Sequence, residues 1–156
     1  MSKVLIFMHF VLFAVSCSAT ESKSNSSYQS KVLGDSDFVL SEANIKLIEN
    51  SLNVNELKEY LRFDMPGRLP LVLQYEALQK DDEYTISCFG KTINMVKSAN
   101  KEPVGAVINL ISAYQDLKKT ELVFKYPVEG IKLTVIYEFS EDQRTWRLVS
   151  KNIVEQ

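Results

Sequence analysis

The sequence predicts an α+β domain in which N-terminal helices pack on an antiparallel β-sheet ending in a three-stranded C-terminal meander. Three observations predict it. Apolar residues recur at helical spacing between Glu42 and Leu61, strand-like alternation takes over at Leu69, and two turn tetrads, Pro127-Val128-Glu129-Gly130 and Ser140-Glu141-Asp142-Gln143, divide the C-terminal third into strands.

The first helix is expected from about Glu42 to Ser51. Ser41 supplies an N-cap oxygen, and Ile45, Ile48 and Leu52 follow at spacings of three and four, one apolar stripe on one face. A second helix starts at once: Asn53-Val54-Asn55-Glu56 reads as a cap with a glutamate three residues on, and Val54, Leu57, Tyr60 and Leu61 share a face before Met65-Pro66-Gly67 stops it. From Leu69 to Leu78, the odd-numbered Leu69, Leu71, Leu73, Tyr75 and Ala77 alternate with more polar partners such as Gln74 and Glu76, and Pro70 is tolerated at a strand's start. Lys80-Asp81-Asp82-Glu83 turns the chain into a second strand, Tyr84 to Phe89.

Pro103 to Lys119 presents a conflict. Its valine and isoleucine content favours strand, but Gly105, Asn109, Ser112, Asp116 and Lys119 fall at steps of four and three, and Pro103 suits a first helical turn. The periodicity predicts a third helix. Three strands follow, Glu121–Tyr126, Ile131–Phe139 and Thr145–Ile153. With four-residue loops, Tyr126 opposes Ile131 and Phe139 opposes Arg144, which puts Leu122, Phe124, Leu133, Val135, Tyr137, Trp146 and Leu148 on one apolar face with Tyr137 beside Trp146. The helix, helix, strand, strand, helix, meander order is similar to the cystatin-like and NTF2-like architectures, in which helices pack into a curved sheet. That likeness is topological, and such architectures host both enzymes and binders.

Residues 1–17 carry a different signal. Lys3 precedes an apolar run from Val4 to Val15, interrupted by His9 and closing on Ser16-Cys17, too short for a span of about 20 residues and ordered like a secretory signal. Two processing routes fit. Cys17 and Ala19 are small residues suited to cleavage after Ala19. Alternatively, Phe13-Ala14-Val15-Ser16-Cys17 resembles a bacterial lipobox, which implies that Cys17 is lipidated and becomes the anchored N-terminus, although Ala14 stands where that pattern usually has leucine. Residues 18–31 read as a disordered serine-rich tether, poor in apolar side chains, and favour the lipoprotein route because a tethered domain needs a leash. The globular domain is expected over residues 32–156. Asn25-Ser26-Ser27 would be a glycosylation acceptor in a eukaryotic host.

The leader also holds the one histidine of the chain, His9. Its removal leaves no imidazole for Ser-His-acid or Cys-His catalysis or for a histidine-bearing zinc site. Cys88, in the strand-like run Tyr84–Phe89, is expected to be a buried small hydrophobe. A net charge of −2 at pH 7 argues against bulk nucleic-acid binding. No phosphate loop or repeat is present in the sequence, no cofactor is implied, and Asp81, Asp82 and Glu83 lack the spaced ligands of a calcium loop.

The site candidate is a basic row. On the face opposite the apolar one, the expected register aligns Lys125, Lys132 and Lys151 across three strands, with Arg147 on the same face. Like charges directly opposite cost stability, and an anionic ligand or an acidic partner would offset that cost. The expected function is a non-catalytic, exported cell-envelope protein, inhibitor-like or immunity-like, that binds another protein and is held to the membrane through Cys17 if it is lipidated. The alternative is a small-ligand binder or a histidine-independent acid–base enzyme, using a carboxylate such as Glu76 with a tyrosine from Tyr75, Tyr84, Tyr114, Tyr126 and Tyr137 on the concave side of the sheet.

Overall fold

The structure is a computed structural model, and it describes residues 38–79, 82, 84–97 and 105–156. All of them belong to one compact unit, Leu33–Gln156. The leader, the tether, Cys17 and Asn25 lie outside the described residues, as do Pro103 and most of the Lys80–Glu83 turn.

Two helices come first. Helix α1 spans Glu42–Leu52, and Ser41 caps it as expected, its Oγ accepting the Asn44 backbone N–H at 3.2 Å. Such a cap is worth about 1 kcal/mol. Ile48 and Leu52 are fully buried, Leu47 joins them, and Ile45 sits at the margin of the core. Helix α2 spans Asn55–Leu61 and buries Leu57 and Leu61. Its expected Asn53 cap is not used: Val54 occupies the N-cap position without a side-chain bond. The helix ends at Leu61, where Arg62 adopts a left-handed conformation with φ 43°, ahead of the Met65-Pro66-Gly67 stop.

Seven strands form one curled, mixed sheet: β1 (Leu71–Tyr75), β2 (Tyr84–Cys88), β3 (Lys91–Val96), β4 (Ala106–Gln115), β5 (Lys119–Tyr126), β6 (Ile131–Ser140) and β7 (Thr145–Glu155). Their spatial order is β2-β3-β1-β4-β5-β6-β7. The fold is α+β, but the sheet is not purely antiparallel, because β1 runs parallel to both of its neighbours, β3 and β4. Strand β3 is an element the sequence reading lacked. It pairs with β2 through a two-residue turn in which Phe89 and Gly90 have φ of 47° and 75°, both in the left-handed region that such a hairpin requires.

The segment expected as a third helix is strand β4. Its valine and isoleucine content was the better guide, and the false helical period has a local cause. A bulge between Leu110 and Ser112 inserts Ile111, so Asn109 and Ser112 share the outer face although they are three residues apart. Gly105, assigned to the same polar stripe, instead serves close approach. Its φ is +110°, a side chain there would run into the Pro70 carbonyl, and Ala106 N–H donates to that carbonyl at 3.1 Å, starting the β1–β4 pairing.

The core lies inside the curl. Leu71, Leu73 and Tyr75 of β1, Ile108 and Leu110 of β4, Leu122 and Phe124 of β5, and Leu133, Val135 and Tyr137 of β6 point inward onto Leu47, Ile48, Leu52, Leu57 and Leu61. Each polar group drawn into that core is satisfied. The Ser51 hydroxyl lies 3.0 Å from the Tyr137 hydroxyl and donates to Leu47 O at 2.8 Å. Asn44 and Gln115 exchange a reciprocal pair of amide bonds at 2.8 and 3.0 Å, and Gln115 also donates to the buried Thr120 hydroxyl at 3.0 Å. Arg68, buried beside the turn Pro127–Glu129, donates to the Tyr126 hydroxyl at 3.1 Å and pairs with Glu129. The Ser51 and Asn44 bonds fix the rotation of α1 against the sheet, because a buried group left unpaired costs about 1–3 kcal/mol.

Candidate functional site: the open flank of strand β7

The C-terminal meander forms with the expected strands, slightly extended, and Tyr126 opposes Ile131 as expected. The last hairpin differs. Its loop is Glu141–Arg144, with Arg144 at φ 50°, so Ser140 opposes Thr145 and Phe139 opposes Trp146. The aromatic pair is therefore Phe139–Trp146, edge to face with centroids 5.3 Å apart, in place of the expected Tyr137–Trp146 contact. A second bulge follows. The register shifts between Ile136 and Tyr137, where Val149 is the extra residue of β7, and every later side chain of β7 changes face.

That shift breaks the basic row. Lys125 and Lys132 remain cross-strand partners on the outer face, but the residue beside Lys132 on β7 is Val154. Arg147 opposes Glu138, which on its other side opposes Lys119. Lys151 pairs with Val135 and lies on the inner face, where its ammonium reaches Glu56 of α2 at 2.7 Å. The Lys151 hydrogen bond holds the Glu56 carboxyl below the usual carboxylate range. Of the four basic residues, the fold thus keeps Lys125 and Lys132 together, gives Arg147 an acidic neighbour, and uses Lys151 to tie α2 to the sheet.

Strand β7 forms one edge of the sheet and is exposed along nearly all of its eleven residues. Trp146 and Ile153 are half-buried, whereas Leu148, Val149 and Val154 are 44%, 50% and 48% exposed. A long edge strand with exposed apolar side chains is a template for pairing with another chain. Beside it lies a cleft of about 360 Å³ between α2 and the end of the sheet. Helix α2 lines it with Glu56, Glu59, Tyr60 and its N-cap residue Val54, and β6 and β7 with Leu133, Lys151, Asn152 and Ile153. The cleft lies between β7 and the seven-residue α2, which reaches the strand through Glu56 and Lys151. Its members were only partly visible in the sequence: Tyr60 fell on the apolar stripe of α2, but nothing local placed that stripe beside Ile153.

The residues of the alternative acid–base reading fall in different settings. Glu76 lies exposed in the turn after β1, and the five tyrosines are dispersed: Tyr75, Tyr126 and Tyr137 in the core, Tyr84 half-buried, and Tyr114 exposed with its hydroxyl on Asp116 at 2.9 Å. Cys88 is fully buried, its Sγ–H donating to Leu52 O at 3.3 Å, and burial pushes its pKa up to about 12. A thiol held neutral in this way is a weak nucleophile. Among the described residues no group of acidic or cysteine side chains is arranged to hold a metal ion, and no helix is long and apolar enough to cross a membrane.

Comparisons with known proteins return no matching family model, no matching curated protein and no matching solved structure.

Proposed function

We propose that the protein is an exported, non-catalytic cell-envelope protein, anchored through Cys17, whose folded unit binds another protein by accepting an extended segment along the free edge of β7. The observation that carries this reading is the edge itself: eleven residues long, exposed on both faces and bearing apolar side chains. Main-chain hydrogen bonds to an added strand would supply affinity, and side chains flanking the edge would supply selectivity. The bulge at Val149 divides β7, leaving Ser150–Glu155 as the longer regular half. A segment docked there continues the outer-face row that runs Lys125, Lys132, Val154, so an acidic residue in the partner lies beside Val154, two strand spacings or roughly 10 Å from Lys132, where it feels the field of the lysines without touching them.

A photo-crosslinking residue at Val154 tests this in the exporting cell, with a second one at Thr85 on β2, the opposite edge. The expected result is one protein adduct at Val154 and none at Thr85. With the partner purified, amide exchange should slow along Ser150–Glu155, and Lys132→Glu should weaken capture while changing stability by less than about 0.5 kcal/mol. Equal adducts at both edges, or capture indifferent to Lys132→Glu, would retire the acidic-strand reading. Intact-mass analysis of the exported protein checks the anchor; an unmodified chain starting at Thr20 rules it out.

A further inference from the structure

We infer that the cleft between α2 and β7 is a binding site for a small amphiphile with an apolar body and a single cationic group. The cleft shares Lys151, Asn152 and Ile153 with the β7 segment of the strand-docking reading, so the probes are titrated into the protein alone, without a partner. Three observations carry it. The volume, about 360 Å³, lies within the range of small-molecule sites. The apolar surface open to a ligand comes from half-buried Tyr60 and Ile153 over buried Val54 and Leu133, so an apolar body that settles there gains chiefly by removing its own surface from water.

The third observation is charge. Two carboxylates and one ammonium line the cleft, and Lys151 is already engaged by Glu56 at 2.7 Å. Glu59 makes no ion pair among the described residues. The cleft therefore carries one uncompensated negative charge, and the ring of Tyr60 lines the same cleft. An ammonium held between a carboxylate and an aromatic ring gains from both, through Coulomb attraction and through the ring's quadrupole. An anionic head would meet Glu59 and find the one lysine of the cleft occupied.

The probes are octylammonium and octanoate, which share one chain and differ in the sign of the head. Each is titrated below its micellar concentration into the ¹⁵N-labelled protein at low salt. Octylammonium should give saturable amide shifts at Tyr60, Asn152 and Ile153, and octanoate should give none there. Glu59→Gln should weaken octylammonium about fivefold, the scale of one exposed ion pair, whereas Glu138→Gln on the outer face should leave it unchanged. Because Glu59 is exposed, the variant is expected to fold, and an unchanged amide spectrum outside the cleft confirms it. Equal binding of octanoate, unchanged binding in Glu59→Gln, or no saturable shifts would overturn the proposal.

Discussion

The two edges of the sheet are built in opposite ways. Strand β2 is five residues long, with Ile86 and Cys88 fully buried, and it is fastened to the helices. Asn53, at the end of α1, donates to Glu49 O and Ser87 O at 2.7 Å each and accepts the Phe89 N–H at 2.6 Å. The Lys58 ammonium lies 5.8 Å from the centre of the Phe89 ring. Strand β7 is twice as long, and a helix reaches it by an exposed ion pair, Glu56–Lys151. The contrast shows where the helical layer runs out. Two helices of eleven and seven residues fill the inside of the curl and seal β2, but leave the far flank uncovered.

Substitutions at the two ends should therefore differ in kind. The largest effect is expected at the sealed end, where Leu52 is fully buried against the core: Leu52→Ala should cost about 2–5 kcal/mol by urea denaturation, through lost transfer energy and the cavity left behind. A cost under 1 kcal/mol would mean that this end repacks freely. Next comes Asn53→Ala, expected to cost about 0.5–1.5 kcal/mol because the Ser87 carbonyl and Phe89 N–H lose their side-chain partner where water can partly replace it. The amide of Phe89 should then exchange faster, and unaltered exchange there would show that Asn53 is not the clasp. The smallest effect is expected at the open end. Leu148→Thr should change stability by no more than about 0.5 kcal/mol, since its side chain is already 44% exposed. A loss of 2 kcal/mol or more would show that β7 is covered in solution, and the two edges would no longer be opposites.

Two errors of the sequence reading, the third helix and the basic row, share one origin. Within the regular parts of the chain, alternation and caps located elements well: Ser41 caps α1, Leu71, Leu73 and Tyr75 face inward, and the meander strands begin close to where they were expected. At each bulge the reading failed. One extra residue at Ile111 turned a strand's period of two into a false helical spacing, and one at Val149 carried Lys151 from the outer face to the inner one. A bulge has no fixed residue signature, so its effect on facing is visible only once both strands are paired. The basic row dissolved for that reason. The cleft was illegible for another: Glu59 and Ile153 are far apart in sequence and meet across two elements whose separation depends on how far α2 extends.

Local patterning was enough for the α+β class, the capped first helix and most strands, because each depends on neighbours within a few residues. Strand order is a different matter. That β1 runs parallel between β3 and β4, that Asn53 clasps a hairpin rather than capping α2, and that Lys151 holds a helix rather than joining a row were decided by packing. Those outcomes depend on burying apolar faces from distant segments against one another while pairing every buried polar group. No window of the chain contains both sides of such a contact.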